Sequence, residues 1–157
     1  MLNNKNLILT GFTCSGKTTI GKYIAQKMNL NFIDTDEIIE KFCKSKIINI
    51  FEKNGENYFR QIETKVCSQI CNLNNYVIAT GGGTLTYPNN LKLFFNKGFI
   101  IFIDTPFEIC YQRITNSNNR PYKALPKDEL HNLYTTRKKI YSKISNISIS
   151  GNNLNFK

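Results

Sequence analysis

The stretch LILTGFTCSGKTT, residues 7–19, decides the fold. Residues 7–10 form a short apolar run ending in Thr10, and Gly11-Phe12-Thr13-Cys14-Ser15-Gly16-Lys17-Thr18 matches G-x-x-x-x-G-K-[ST]. A helical pattern follows, with Ile20, Ile24 and Met28 recurring every fourth residue. A strand, a glycine-bounded loop and a helix in that order make a phosphate cradle. Loop N–H groups and the helix N-terminus surround the anion. The Lys17 ammonium is placed to reach the β and γ phosphates, and the Thr18 hydroxyl to ligate Mg2+. A chance match in an unrelated loop would not carry both correct flanks.

Outward from this loop, short β-rich runs alternate with helical patterns. The runs are Leu7–Thr10, Phe32–Ile33, Tyr76–Thr80, Phe99–Ile103 and Ile147–Ser150. Several are almost continuously apolar, as in FIIFI at 99–103, which is how strands buried on both faces of a parallel sheet read. Phe59, Ile62, Val66 and Ile70 mark one helix face, and Leu130, Leu133, Ile140 and Ile144 another, with Arg137 between them. Thr105-Pro106-Phe107-Glu108 reads as an N-cap, N1 proline and N3 glutamate. The β-α-β alternation predicts a doubly wound α/β domain with right-handed crossovers. TNSNN, residues 115–119, reads as a mobile loop before Arg120-Pro121.

The 157 residues fit one domain. No stretch is apolar enough to span a membrane. MLNNKNLILTG lacks the layout of a signal peptide, so the cytoplasm is the expected compartment. Five cysteines without a CxxC pair suit neither a disulfide framework nor a structural zinc site; Cys67 and Cys71 read as packing residues. The net charge of +10 raises nucleic acid as a partner. The basic residues are scattered and never run to five, so a solvated basic surface with a site for anionic ligands is the better reading.

Asp34 and Asp36 end the second strand, where strand ends of an open α/β sheet face the phosphate site. They can serve a metal and a substrate hydroxyl, or cap the helix that EIIEKF begins; both roles can coexist. Gly81-Gly82-Gly83 lets the backbone approach a ligand closely, or is a flexible turn. Arg60 and Arg137 lie on or beside apolar stripes, where a guanidinium needs an anion. Glu63 is a ready local partner for Arg60. Arg120 can close onto phosphates or stay solvated, Arg113 is less clear, and His131 falls on a polar face with no role.

Together GFTCSGKTT, FIDTD, IFEKNGENYFRQIE, VIATGGG, the RP of NNRPY and LYTTRKKIYSKIS resemble shikimate kinase, in order and spacing, from about Leu7 to Ile149. The resemblance implies a five-stranded parallel sheet of the P-loop nucleoside-monophosphate-kinase type, one domain over residues 1–157. It implies a lid at about 113–126 and a small helical substrate-binding region at about 34–62. It implies ATP and shikimate as ligands, with Cys14, Ser15, Gly16, Lys17, Thr18, Thr19, Arg113 and Arg120 around ATP. Asp36, Arg60, Gly81, Gly82, Gly83 and Arg137 would contact shikimate. One Mg2+ would sit on Thr18, with Asp34 behind it through water, and Lys17, Asp36 and Arg120 would carry catalysis. A cytoplasmic monomer of the chorismate pathway, with no nucleic-acid or membrane partner, is expected.

Three departures stand out. Cys14 replaces a usual glycine, Tyr122-Lys123 replaces a common Leu-Leu, and the family's adenine-flanking loop and terminal helix are expected to be missing or reduced. Gluconate kinase, another small-metabolite kinase of this fold, and a nucleotide-binding module without turnover are the competing readings. The triple glycine and FR-x-x-E favour shikimate over gluconate, and intact Lys17, Asp36, Arg60 and Arg120 oppose a silent module.

Overall fold

Five parallel strands in the order β2-β3-β1-β4-β5 form one sheet: β1 Asn6–Thr10, β2 Asn31–Asp34, β3 Tyr76–Ala79, β4 Gly98–Asp104 and β5 Ile147–Ser150. The computed structural model describes residues 5–117 and 121–152. Register is set by pairs such as Ile8 with Ile78 on one side and Ile8 with Ile100 on the other.

Side chains alternate across a strand, so both faces of β1 must find cover. Ile8, Ile78 and Ile100 pack with Ile39, Phe59, Val66 and Phe94 on one face. Leu7, Leu9, Val77, Ile101 and Ile103 pack with Ile20 and Ala25 on the other. These helical residues come from α1 Lys17–Met28, α2 Thr35–Cys43, α3 Ile47–Ile70 and α4 Pro88–Phe94. A third cluster joins Phe12 and Phe102 to Phe107, Cys110, Ile114, Leu130, Tyr134 and Tyr141. It rests on α5 Phe107–Thr115 and α6 Lys127–Ile144. The five predicted strands all appear, each within a residue of its expected limits. Among the described residues no helix is long and apolar enough to cross a membrane.

Two local readings are corrected. Thr105 does not cap α5: Pro106 occupies the N-cap without a side-chain cap bond, and the Thr105 hydroxyl donates to the Ser15 carbonyl at 2.7 Å. The buried β4 end leaves that hydroxyl facing the phosphate loop, where an orphan carbonyl is the stronger claim on it. On α6 the buried stripe is Leu130, Tyr134, Arg137 and Tyr141; Leu133, Ile140 and Ile144 lie at its shoulders. The tyrosines bury their rings because each hydroxyl finds a carbonyl, Tyr134 at Thr105 and Tyr141 at Gly82.

The sheet positions the site. Connections leaving β1 and β3 depart in opposite directions along the strand order, so a crevice opens beyond their carboxyl ends. The phosphate loop, Asp34 to Asp36 and the triple glycine all begin there.

Candidate active site

At the loop itself the backbone does the shaping. Cys14 has φ 59° and Gly16 φ 99°, both left-handed, and Ser15 N–H donates to the Phe12 carbonyl at 3.1 Å. Cys14, which stands where the resembled family usually has glycine, thus holds a left-handed backbone that most side chains avoid. Gly16 caps α1 without a side chain, which leaves the helix N-terminus open to an anion. Lys17 is buried, and its ammonium donates to the Gly11 and Phe12 carbonyls at 2.9 and 2.7 Å. Ser15 is fully buried beneath the loop, with its hydroxyl 3.4 Å from the Lys17 nitrogen.

Asp34 performs two tasks at once. Its Oδ1 accepts from Asp36 N–H at 2.9 Å and caps α2, while its Oδ2 accepts the Thr18 hydroxyl at 2.6 Å. One hydroxyl and one carboxylate form an oxygen-only pair beside the phosphate loop. That donor chemistry fits Mg2+, which keeps several waters and takes one or two protein oxygens next to substrate phosphates. No cluster of three or more His, Cys, Asp or Glu that could hold a metal occurs among the described residues.

The other end of the cleft is built around a buried carboxylate. Glu63 is 1% exposed and accepts from Arg60 Nη1 at 2.8 Å, the Thr84 hydroxyl at 2.7 Å and Asn90 at 3.3 Å. Glu56 holds the other edge of the guanidinium, at 2.9 Å from Nη2 and 3.2 Å from Nε. Burial would lower the Arg60 pKa; the charge and hydrogen bond of Glu63, and the bond from Glu56, outweigh it and hold the guanidinium above its usual value. Sequence reasoning saw Glu63 only as a local partner of Arg60, since i,i+3 spacing reveals the ion pair but not Thr84 and Asn90.

The triple glycine closes the floor. A Cβ on Gly81 would stand 2.6 Å from Asp36 Oδ1, and one on Gly83 would stand 2.6 Å from Arg60 Nη2. The glycines therefore admit the two side chains expected at the acceptor, rather than forming a loose turn.

Arg137 on α6 is 6% exposed. Its Nη2 donates to the Tyr122 hydroxyl at 3.1 Å, and its Nη1 has no hydrogen-bond partner among the described residues. A buried guanidinium with an unused donor is costly unless an anion completes it. Arg113 is exposed on α5 and donates to the Cys14 carbonyl at 3.0 Å. Arg120 lies outside the described residues.

One cleft of about 750 Å³ joins these parts. Cys14, Gly16, Lys17, Thr18, Thr19 and Arg113 line one end, and Asp36, Arg60, Gly81, Gly82, Gly83 and Tyr122 the other, with Asp34 between. Ser15 lies beneath this lining and Arg137 behind Tyr122. His131 packs edge-on against Phe107, with ring centroids 4.7 Å apart, outside the cleft.

The shikimate kinase family model matches residues 13–156. A shikimate kinase of Aquifex aeolicus is 41% identical over 145 residues, 92% of this chain and 86% of that protein. One from Macrococcus caseolyticus is 43% identical over 145 residues, 91% and 85% of the two chains. Among solved structures, shikimate kinase from Acinetobacter baumannii in complex with shikimate superposes with a TM-score of 0.91 at 33% identity, covering 96% of this chain and 85% of that one. The Aquifex aeolicus enzyme superposes at 0.83 with 40% identity, covering 94% and 88%.

Proposed function

This chain belongs to the shikimate kinase family, and from that premise we propose which residues carry its reaction. As a shikimate kinase it is an ATP-dependent phosphotransferase that moves the γ-phosphoryl group of ATP to the 3-hydroxyl of shikimate. The observation that carries the assignment is one cleft with a phosphate loop at one end and the buried Arg60 guanidinium at the other.

The loop N–H groups and Lys17 hold the β and γ phosphates, the ammonium exchanging the Gly11 and Phe12 carbonyls for phosphate oxygens. Thr18 and Asp34 would hold Mg2+, which would supply neutralisation of phosphate charge. Arg60 and Arg137 receive the shikimate carboxylate. Asp36 orients the attacking hydroxyl and takes its proton as the new O–P bond forms and the bond to ADP breaks. Gly81, Gly82 and Gly83 let the acceptor ring approach the backbone. Thr19 and Cys14 border the nucleotide, Ser15 shapes the loop from below, and Arg113 lies beside the base. Arg120 clamps the transferring group.

The domain is read as one unit over residues 1–157, with the acceptor region at about 34–62 and the lid at about 113–126. We read it as a monomer of the cytoplasm with no nucleic-acid or membrane partner; free cysteines, three of them buried, suit a reducing compartment.

A coupled assay of ADP release tests the reading. Release dependent on shikimate, absent with gluconate and lost in Lys17→Met with an unchanged melting curve, is the expected result. Release of ADP at the same rate without shikimate would reject it.

A further inference from the structure

Tyr122 stands in the short turn Pro121–Ala124, which packs against α3 and α5, and its side chain lines the acceptor end of the cleft. Four observations converge on its surroundings. The oxygen accepts Arg137 Nη2 at 3.1 Å, and the Arg137 guanidinium carbon lies 5.3 Å from the ring centroid. A phenol that accepts one bond keeps its own O–H to donate, and this O–H has no acceptor among the described residues. Arg137 Nη1 is buried and likewise unsatisfied. The phenol also lies within the electrostatic reach of Arg60. The Tyr122 O–H thus lines a cleft that also holds the buried Arg60 guanidinium, with the unused Arg137 donor behind it.

We propose that the Tyr122 hydroxyl is a third contact of the acceptor carboxylate: it accepts from Arg137 and donates to the carboxylate, so that the turn bearing it is held by the bound acceptor. This rests on the reading of Arg60 and Arg137 as the carboxylate partners. Tyr122 is a positioning residue, acting on the end of the acceptor away from the phosphoryl group. It gives specificity for a carboxylate over a neutral group at that position, because an O–H bonded to a charged acceptor contributes more than one bonded to a neutral acceptor.

The test is calorimetric binding of shikimate, its carboxamide and ATP to the wild-type chain, Tyr122→Phe and Tyr122→Leu, with steady-state kinetics alongside. Tyr122→Phe keeps the ring against Arg137 and removes only the hydroxyl. We expect it to weaken shikimate binding about tenfold to a hundredfold, the range of one hydrogen bond to a charged group. The loss should fall mainly on KM for shikimate, with ATP affinity within about twofold of wild type. The carboxamide should show a difference between Tyr and Phe at least several-fold smaller. Tyr122→Phe equal to wild type, with Tyr122→Leu impaired, would reduce the role to ring packing and overturn the proposal. Tighter binding by Tyr122→Phe would also overturn it, by showing that the phenol competes with the carboxylate for Arg137. Failure of the wild-type chain itself to bind shikimate would instead reject the carboxylate reading on which the proposal rests.

Discussion

At the residue scale, the two acceptor arginines are held in different ways, and that difference is measurable. Arg60 is locked by Glu63 and Glu56, so its removal leaves a carboxylate that is 1% exposed without its cation. Breaking a buried pair from one side costs about 3–5 kcal/mol. Among the described residues, Arg137 has only a phenol as hydrogen-bond partner and an unused donor to lose. Both Arg60→Ala and Arg137→Ala should weaken shikimate binding by about 1.5–3 kcal/mol and leave ATP binding nearly unchanged. Only Arg60→Ala should also lower the midpoint of urea unfolding markedly. Titration calorimetry with each ligand and a urea melt of each variant check this; equal loss of both ligands would point to a purely structural role.

At the element scale, the junction of β2 and α2 joins helix capping to the nucleotide site through one side chain. Asp34 caps α2 with one oxygen and holds Thr18 with the other. Asparagine caps as well as aspartate, whereas alanine costs about 1 kcal/mol at that position. Asp34→Asn should therefore keep the parent melting temperature while raising the Mg2+ concentration needed for half-maximal rate. Asp34→Ala should do both kinds of damage. Helix α3 offers a second case. Gly55 has φ 79° and ψ 169° in its middle, where the chain kinks, and a Cβ there would meet nothing within 4 Å. The cost of a side chain is thus backbone strain alone. Gly55→Ala should destabilise by about 1–3 kcal/mol, read from urea unfolding. If the chain instead straightens through the kink, shikimate affinity should fall, since Arg60 lies only five residues on in α3.

At the scale of the whole molecule, both ends of the cleft hang from one sheet. The phosphate loop leaves β1, the Asp34–Asp36 segment leaves β2 and the triple glycine leaves β3, so each ligand braces the same three strands. A ligand at a hundred times its dissociation constant adds about 2.7 kcal/mol to the folded state. For a domain of this size each kcal/mol raises Tm by about 2–4 °C. ADP with Mg2+ and shikimate, each at that excess, should each raise Tm by about 5–10 °C. Together they should give at least the sum. A scanning-calorimetry series with neither, either and both ligands tests this, and a combined shift equal to the larger single shift would show that the two sites exclude one another.

The sequence alone determined the five parallel strands and the chemistry of the phosphate end. Strands buried on both faces must be apolar along their length, as FIIFI is, and a loop that binds phosphate through its own backbone carries its signal in consecutive residues. The acceptor end was legible only as candidates. Arg60 and Glu63 are neighbours on a helix, but Thr84, Asn90 and Gly83 reach them from 21 to 27 residues away, and no spacing rule links them. Thr105 shows the same limit in reverse. Its local pattern reads as a helix cap, yet its hydroxyl bonds Ser15, 90 residues earlier, because the parallel strands β1 and β4 end side by side. Tyr122 and Arg137 lie 15 residues apart on different elements, and only the packing of that turn onto α3 and α5 sets the phenol before the guanidinium. Local patterns mark the buried strands; the tertiary structure decides which stripe of α6 is buried and which buried donors and acceptors meet, because hydrogen bonds are satisfied by proximity in space and not along the chain.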